Sequence, residues 1–306
     1  MSPAGDEAPE TSPKPSDPKG AESKMMVITG ATGQVGGEVL RRLVQRDVPV
    51  RALVRDPAKA ESVRRRGVET VEGDFARPET LVRALEGADT MFLTCANVPE
   101  QVELESDAID AAVRAGVRRV VKLSILGAEA GSPVPFRDWH GRVEQNLKDS
   151  GAHYTILRPN FFMQGLPALV GADGDIHAPT GDGRVGWVDV RDIAEVAARA
   201  LTQEGHEGKT YTVTGPESFS LAEVADKLSE VVGREVHHVD VSPEAAREGM
   251  VSSGMSEWFA QALLALFAAI RRGELDVVTD TISSMGKVEP RRVGSYAREL
   301  AFWLRG

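Results

Sequence analysis

The chain has 306 residues, of which 42% are hydrophobic, and it carries a formal net charge of −10. This length and composition can bury one large core, or a core together with a smaller lobe. The negative charge argues against nucleic acid or an anionic membrane as the main partner, because both attract clustered Lys and Arg. The single cysteine, Cys95, excludes an internal disulfide and predicts a cytoplasmic protein. No apolar run reaches the roughly 18 residues that a membrane-spanning helix needs.

Residues 1–24 are rich in Pro, Ser, Glu, Asp and Lys. Met1 is their only large apolar residue, and none of them is aromatic. Such a segment buries too little surface to offset the entropy lost on ordering, so we predict a disordered tail. It lacks the apolar stretch of a signal peptide and the Arg-rich amphipathic pattern of a transit peptide. The folded region is therefore expected to begin at Met25.

The folded region opens with a glycine-rich stretch, MMVITGATGQVGGEV. A β-branched run ends in the spacing G-x-x-G-x-x-G, and an amphipathic helix follows directly. This is the strand–turn–helix of a dinucleotide-binding unit, in which backbone N–H groups and the positive end of the helix dipole meet a pyrophosphate. The residues predicted to bind the dinucleotide here are Gly30, Thr32, Gly33, Gln34, Val35 and Gly36.

Further along the chain, short apolar runs alternate with helical patterns. The runs predict strands over residues 26–28, 48–54, 68–72, 89–94, 119–123 and 154–157. Helices are expected to open near Gly33, Pro57, Pro78, Pro99 and Phe136. Near-continuous apolar strands with helical crossovers predict an α/β fold, a doubly wound parallel Rossmann sheet with a ligand crevice at the carboxyl ends of its strands.

The pattern changes after residue 160. Residues 165–184 are loop-like, residues 186–201 predict a strand and a helix capped by Asp189 or Asp192, and residues 209–215 predict another strand. Helices dominate from residue 219, notably over 255–272 and 293–304. We therefore predict a Rossmann domain of residues 25–160 that is completed by 185–215. A smaller, mostly helical substrate-binding lobe is expected over 161–184 and 216–306.

The tip of the second strand distinguishes the two nicotinamide cofactors. A carboxylate there holds the ribose 2′-OH of NAD, whereas an arginine accommodates the 2′-phosphate of NADP. The strand RALVRDP ends in Arg55, and Asp56 starts the next turn. We predict NADP(H) in preference to NAD(H), with Arg55 as the phosphate ligand; the alternative is that Arg55 is a solvent-exposed strand end.

Residues that follow later strands are expected to lie along the same cofactor. Those after the third strand border its adenine, those after the fourth its central part, and the residue after the Arg-Pro pair its nicotinamide. These residues are Asp74, Phe75, Thr94, Ala96, Asn97 and Asn160. Cys95 has no evident activating base in the sequence and is expected to be a small packing residue beside the cofactor.

Several motifs together resemble those of the NmrA-like, atypical short-chain dehydrogenases. They are GATGQVG, LVRDP, GDF, AAVRAGVRRVVKLS, EQNLKDSGAHYTILRPNFFMQG and VGWVDVRDIAEVAARAL. The resemblance extends from Met25 to the C-terminus. It implies an NAD(P)(H)-binding protein, in a family that includes quinone reductases, triphenylmethane-dye and azo reductases, and non-catalytic redox sensors.

The resemblance also locates the positions of the usual catalytic residues. Typical short-chain dehydrogenases use a serine and a Tyr-x-x-x-Lys pair, whose tyrosine protonates the carbonyl oxygen. Ser124 matches the serine. The family's spacing from Glu144 and Arg158 places the lysine position at His140 and the tyrosine position at Phe136. The pair has become Phe-x-x-x-His, so the usual proton donor is absent.

The missing tyrosine favours one class of substrate. A ketone reduced to an alkoxide must be protonated as it forms, whereas a quinone, azo group or triarylmethyl cation spreads or neutralises the incoming charge. His140 is either an acid poised near neutral pH or a residue that holds the nicotinamide ribose or a loop. Ser124 either donates to a substrate oxygen or caps its strand. An apolar wall for a flat ring, or a part of the core, is expected from Phe136, Trp139, Phe161, Phe162 and Met163.

These observations predict an NADPH-dependent reductase that transfers hydride directly to a planar conjugated acceptor, such as a quinone. One alternative is a ketoreductase that tailors an aromatic polyketide or similar natural product, with His140, Ser124 or water as the proton source. The other is a non-catalytic NADP(H)-binding redox sensor that docks a protein partner. No metal site is predicted.

Overall fold

The computed structural model describes residues 25–64 and 67–304; the tail predicted over residues 1–24 lies outside them. In chain order the strands are β1 (Met25–Ile28), β2 (Val50–Val54), β3 (Glu69–Glu72), β4 (Ala88–Leu93), β5 (Arg119–Leu123), β6 (His153–Pro159), β7 (Ile176–His177), β8 (Arg184–Val185), β9 (Lys209–Val213), β10 (Phe219–Ser220) and β11 (His238–Val239). The helices are α1 (Gln34–Val44), α2 (Pro57–Arg64), α3 (Pro78–Leu85), α4 (Gln101–Arg114), α5 (Pro135–Asp149), α6 (Val190–Thr202), α7 (Leu221–Val232), α8 (Pro243–Ser252), α9 (Glu257–Arg271), α10 (Thr281–Ser284) and α11 (Val293–Leu304).

Seven of these strands form one sheet in the order β3-β2-β1-β4-β5-β6-β9. Every pairing within it is parallel, and Ile28 at the end of β1 pairs with Ala52 on one side and Phe92 on the other. The strand order reverses direction between β1 and β4, which opens a crevice at their carboxyl ends. The predicted doubly wound parallel sheet is confirmed.

The sheet is buried on both faces because its strands alternate their side chains between two helical layers. Met26 and Ile28 of β1 point to the layer that contains α1 and α6, and Val27 between them points to the layer that contains α3, α4 and α5. Nine-tenths or more of each of these three side chains is buried. Rigid layers on both faces therefore hold the strand ends that surround the crevice.

The segment between β6 and α6 differs from the sequence prediction. The stretch expected to be loop-like begins inside a 3-10 helix, Met163–Leu169, and contains the short strands β7 and β8. The strand expected before α6 is reduced to one bridge between Val188 and Phe162. The N–H of Val188 donates to the Phe161 carbonyl oxygen at 3.0 Å, so these residues pair with a loop rather than with the sheet.

The C-terminal helices enclose a second core. Trp187 lies at its centre, fully buried, among side chains of α7, α9 and α11. Phe136 of α5 belongs to the same core and joins this lobe to the sheet. None of the described helices is both long and apolar enough to cross a membrane.

Candidate active site

The glycine loop between β1 and α1 is shaped by positions that exclude a side chain. Gly30 has φ +58°, and a Cβ there would lie 2.6 Å from Cγ2 of Thr94. A Cβ on Gly36 would clash with the carbonyl oxygen of Gly30. Gly33 occupies the N-cap position of α1, and no side chain caps the helix there. The first-turn N–H groups of α1 are therefore open to an anion.

Thr29 fixes the glycine loop against the segment that follows β4. Its hydroxyl lies 3.0 Å from the carbonyl oxygen of Phe92 and 2.9 Å from that of Thr94, and it accepts a hydrogen bond from the Thr94 N–H at 2.9 Å. These bonds set the distance between two walls of the crevice. Sequence analysis missed Thr29, although its position directly before the first glycine was a usable signal.

The carboxylate of Asp56, directly after β2, is bound by the backbone that follows it. Its Oδ1 accepts a hydrogen bond from the N–H of Ala58 at 2.9 Å, so it is engaged by the start of α2. Arg55, directly before it, is exposed and lines the crevice. The tip of this strand therefore presents a guanidinium rather than a carboxylate to the crevice.

One continuous cleft of about 700 Å³ runs from the glycine loop to the C-terminal lobe. Every residue predicted to contact the cofactor lines it: Gly30, Thr32, Gly33, Gln34, Val35, Gly36, Arg55, Asp74, Phe75, Thr94, Ala96, Asn97 and Asn160. We call the part formed by Gly30–Gly36, Arg55 and Asp74 the glycine end. The part formed by Phe136, Phe161, Phe162, Phe259 and Leu263 is called the aromatic end.

Cys95 also lines the cleft. Burial and the nearby Glu105 carboxylate raise the pKa of its thiol to about 11. A thiol with such a pKa stays protonated at neutral pH and is a poor nucleophile.

Ser124 lines the cleft, but its hydroxyl is directed away from a substrate. It donates a hydrogen bond to Oε1 of the buried Glu144 at 2.6 Å. Arg158 holds the same carboxylate from the other side, with Nε 2.9 Å from Oε1 and Nη2 2.6 Å from Oε2. The expectation that Ser124 donates to a substrate oxygen therefore does not match this geometry, because a carboxylate already accepts its hydrogen bond.

His140 lines the cleft with only 8% of its surface exposed. Its Nδ1 lies 3.2 Å from Nζ of Lys122, and Gln101 approaches the ring from α4. Burial, together with the adjacent Lys122 ammonium, lowers the pKa of His140 well below its usual value. This environment does not match the expectation of an acid poised near neutral pH, because burial and the adjacent ammonium both disfavour the protonated imidazole.

Asn160 has both ends of its amide occupied by the backbone. Its Nδ2 donates to the Leu275 carbonyl oxygen at 2.9 Å, and its Oδ1 accepts from the Phe161 N–H at 2.8 Å. It therefore fastens the C-terminal lobe to the end of β6. Its side chain shapes the cleft wall by holding these segments together.

Three of the five residues expected to form an aromatic wall line the cleft, namely Phe136, Phe161 and Phe162. Trp139 does not, because it packs edge-on against Phe136 with ring centroids 5.7 Å apart and contacts Trp258 from behind. Met163 is fully buried in the C-terminal core and is also wrong as a lining residue.

Helix α9 supplies several of the lining residues that sequence analysis missed. They are Phe259, Leu263 and Leu266, with Leu275 following the helix. The usable signal was the stretch EWFAQALLALFAAIR, which is apolar around most of the helix rather than along one stripe. A helix with that pattern has apolar side chains on more than one face. One face of α9 packs in the C-terminal core, and another lines the cleft.

The residues present fit a dinucleotide that carries a 2′-phosphate. The glycine loop leaves no room for a side chain, the N-terminus of α1 is uncapped, and Arg55 stands at the tip of β2. These features supply the backbone donors, the helix dipole and the guanidinium that such a molecule needs. Among the described residues, no group of three His, Cys, Asp or Glu side chains is arranged to hold a metal ion.

Comparison with known proteins identifies the family. A profile of the NmrA-like family matches residues 22–296. The chain belongs to the NmrA-like family. The resemblance predicted from the sequence motifs is therefore confirmed.

Reductases are similar to this NmrA-like chain over nearly its whole length. It is 40% identical over 277 residues to an NAD(P)H azoreductase of Xenophilus azovorans, which covers 90% of this chain and 97% of the relative. The crystal structure of an NADPH-dependent quinone oxidoreductase from Escherichia coli, complexed with NADPH, matches with a TM-score of 0.83 at 29% identity, covering 90% of this chain and 99% of that one. The Citrobacter triphenylmethane reductase complexed with NADP(H) matches with a TM-score of 0.81 at 30% identity, covering 91% and 100%.

Proposed function

We propose that the protein is an NADPH-dependent reductase that passes a hydride to a flat, conjugated, uncharged acceptor, with a quinone as the first candidate. The observation that carries this proposal is the continuous cleft, which joins an open glycine loop to walls of aromatic and aliphatic side chains. Phe136 stands at this aromatic end, where a proton-donating tyrosine would be needed for a simple ketone. The similarity to an NAD(P)H azoreductase and to a quinone oxidoreductase supports the same class of acceptor.

The glycine end is proposed to hold the cofactor. The backbone of Gly33–Gly36 would bind its pyrophosphate, Arg55 its 2′-phosphate, and Asp74 with Phe75 would border its adenine. When bound, the nicotinamide supplies the hydride. Thr29 holds the two sides of the crevice at a fixed separation, so these contacts are organised before binding.

The aromatic end is proposed to position the acceptor. Phe136, Phe161 and Phe259 offer ring surfaces to a flat molecule and keep water from it. Among the described lining residues, the charged side chains are Arg55 and Asp74, and both follow strands at the glycine end. An acceptor without a formal charge therefore fits the aromatic end best, because a buried ion there would lack a counter-charge.

Reduction of simple ketones is less compatible with this site. The Ser124 hydroxyl is held by Glu144, and His140 is neutral and bordered by a lysine. Neither group is set to protonate an alkoxide as it forms. A conjugated acceptor needs no such donor, because its negative charge is delocalised.

The experiment is to follow the absorbance of NADPH with the full chain and a panel of quinones, azo dyes and aromatic ketones. We expect kcat/KM for quinones to exceed that for ketones by about 100-fold or more, the size of a missing general acid. Gly36→Ala, which removes the dinucleotide site, provides the background rate. Equal rates on ketones would favour a ketoreductase, and tight NADPH binding with no turnover of any acceptor would favour a redox sensor.

A further inference from the structure

Four buried polar side chains meet behind the cleft at the carboxyl end of β5: Lys122, Glu105, Gln101 and His140. Lys122 and Glu105 are completely buried, and Nζ of Lys122 lies 3.0 Å from Oε1 of Glu105. The same ammonium donates to the carbonyl oxygen of Leu123 and lies 3.2 Å from Nδ1 of His140. The ammonium therefore faces one carboxylate, one carbonyl oxygen and one ring nitrogen, and each of these carries a lone pair.

Both ring nitrogens of His140 face hydrogen-bond donors. Nδ1 is approached by Lys122 Nζ at 3.2 Å and by Gln101 Nε2 at 3.4 Å, and Nε2 by the same Gln101 nitrogen at 3.3 Å. The Gln101 amide nitrogen, rather than its oxygen, faces Oε2 of Glu105 and donates a hydrogen bond to it at 3.1 Å. This contact fixes the orientation of the amide, because a carboxylate oxygen accepts. An ammonium has no lone pair, so Nδ1 must accept from Lys122, and the ring proton must be on Nε2.

The ion pair between Lys122 and Glu105 is a weak source of stability. Taking both charges out of water offsets most of their attraction, and apolar pairs of similar volume are often at least as stable. Its position against a residue that lines the cleft indicates a different use. The pair places a permanent donor next to one nitrogen of His140.

We infer that the Lys122–Glu105 pair fixes His140 as the neutral tautomer with its proton on Nε2, and that this N–H donates a hydrogen bond to an oxygen of the conjugated acceptor. This inference rests on the proposed function for the identity of the acceptor. Lys122 is then a positioning residue, because it acts through His140. Among the described residues, Gln101 is the only polar partner near Nε2, and it offers a donor rather than an acceptor.

A neutral imidazole N–H can stabilise charge that develops on oxygen without losing its own proton. When hydride adds to a quinone, negative charge appears on oxygen and the hydrogen bond from Nε2 strengthens. Solvent then supplies the one proton that completes the hydroquinone. Charged groups close to His140 are Lys122 on β5 and Glu105 on α4, while Glu144 on α5 is occupied by Ser124 and Arg158.

The tautomer can be read directly from the ring ¹⁵N shifts of the full chain labelled at histidine, recorded without cofactor or acceptor. His140→Ala identifies the His140 signals by their disappearance. We expect wild type to show the Nε2–H tautomer with no titration between about pH 6 and about pH 8. An Nδ1–H tautomer, or a protonated ring in that range, would overturn the inference.

Two variants test the part played by Lys122. In Lys122→Met, Glu105 loses its cation, so His140 should gain a proton and titrate. The single variant leaves the buried Glu105 carboxylate unpaired and can therefore unfold. The double variant Lys122→Met/Glu105→Leu removes both charges and is expected to stay folded. There we expect a mixed tautomer and a kcat for quinones about tenfold lower, with an unchanged NADPH dissociation constant. Lys227→Met, which removes a lysine in the C-terminal lobe, is the control.

An unchanged tautomer and full kcat in the double variant would show that Lys122 does not position His140. Absence of quinone turnover in wild type would instead count against the proposed function. The two failures are distinguishable, because the spectra need neither cofactor nor acceptor.

Discussion

The two ends of the cleft are built in opposite ways. The glycine end is built around the backbone of one continuous motif, Gly30–Gly36, in which Gly30 and Gly36 exclude a side chain, and Arg55 and Asp74 border that motif. The aromatic end consists of side chains from α5, the segment after β6, and α9, which are far apart in the sequence. Binding at one end therefore depends on backbone geometry, and at the other on the choice of side chains.

The two ends of the cleft therefore differ in how well they tolerate substitution. Gly30 and Gly36 accept almost no substitution, because a Cβ there would collide with Thr94 or with the carbonyl oxygen of Gly30. A wall of side chains can change its size or charge while the fold remains. We therefore expect substitutions in the glycine loop to weaken cofactor binding strongly, and those at the aromatic end to change which acceptor is used.

The largest effect is expected from Gly36→Ala. The added Cβ meets the carbonyl oxygen of Gly30, so the turn and the start of α1 must move. NADPH affinity measured by calorimetric titration should fall about 100-fold or more, the size of losing several hydrogen bonds to a charged group. Gly249→Ala is the matched control, since a Cβ at that helical glycine meets no atom within 4 Å. Equal affinities for the two variants would contradict the assignment of the glycine end.

The next effect concerns Arg55 and distinguishes the two cofactors. Arg55→Ala should weaken NADPH binding by about ten- to a hundredfold, because it removes a charge-assisted hydrogen bond to the 2′-phosphate. NADH, which lacks that phosphate, should bind almost as before. The dissociation constants of both cofactors for wild type and variant provide the measurement. A similar loss for both would make Arg55 a structural residue.

A smaller effect is expected from a charge placed at the aromatic end. Wild type should prefer a naphthoquinone over its sulfonated derivative, and Leu263→Lys should shift the ratio of their kcat/KM values by about tenfold toward the sulfonate. Leu264→Lys, the neighbouring half-buried position outside the cleft lining, is the matched control. If both lysines change the ratio equally, the effect comes from the added positive charge on the protein as a whole rather than from a contact inside the cleft.

The smallest effect is a dependence of stability on pH. The pKa of His140 is lowered in the folded protein, so the unfolded chain binds more protons below its ordinary pKa. Stability should therefore be lost as pH falls from about 6.5 toward the lower folded value. Between about pH 7.5 and about pH 5.5, wild type should lose about 1 kcal/mol relative to His140→Gln in urea unfolding. If His140→Gln loses the same stability over this range, His140 takes up its proton as readily in the folded protein as in the unfolded chain, which contradicts the lowered pKa.

Sequence reasoning located the glycine end more completely than the aromatic end. Arg55 and Asp74 were found because they follow strands whose carboxyl ends must meet at one edge of the sheet. Phe259 and Leu263 were missed because a helical pattern predicts the helix but not which part of the tertiary structure its apolar side chains contact. Trp139 was assigned wrongly for a related reason: it lies one helical turn from Phe136, and only packing shows that Trp258 covers it.

The amino-acid sequence by itself determined the parallel sheet, the open glycine loop and the loss of the usual tyrosine at Phe136. The sheet and the loop depend on periodicity and spacing within short stretches, whereas the tyrosine position comes from the resemblance to the NmrA-like family. Only the tertiary structure decided that His140 lies beside an ammonium that disfavours its protonated form, and that Ser124 donates its hydrogen bond to Glu144. The pKa of a buried group depends on its burial and on the charges beside it, and here Lys122 reaches His140 from a different element.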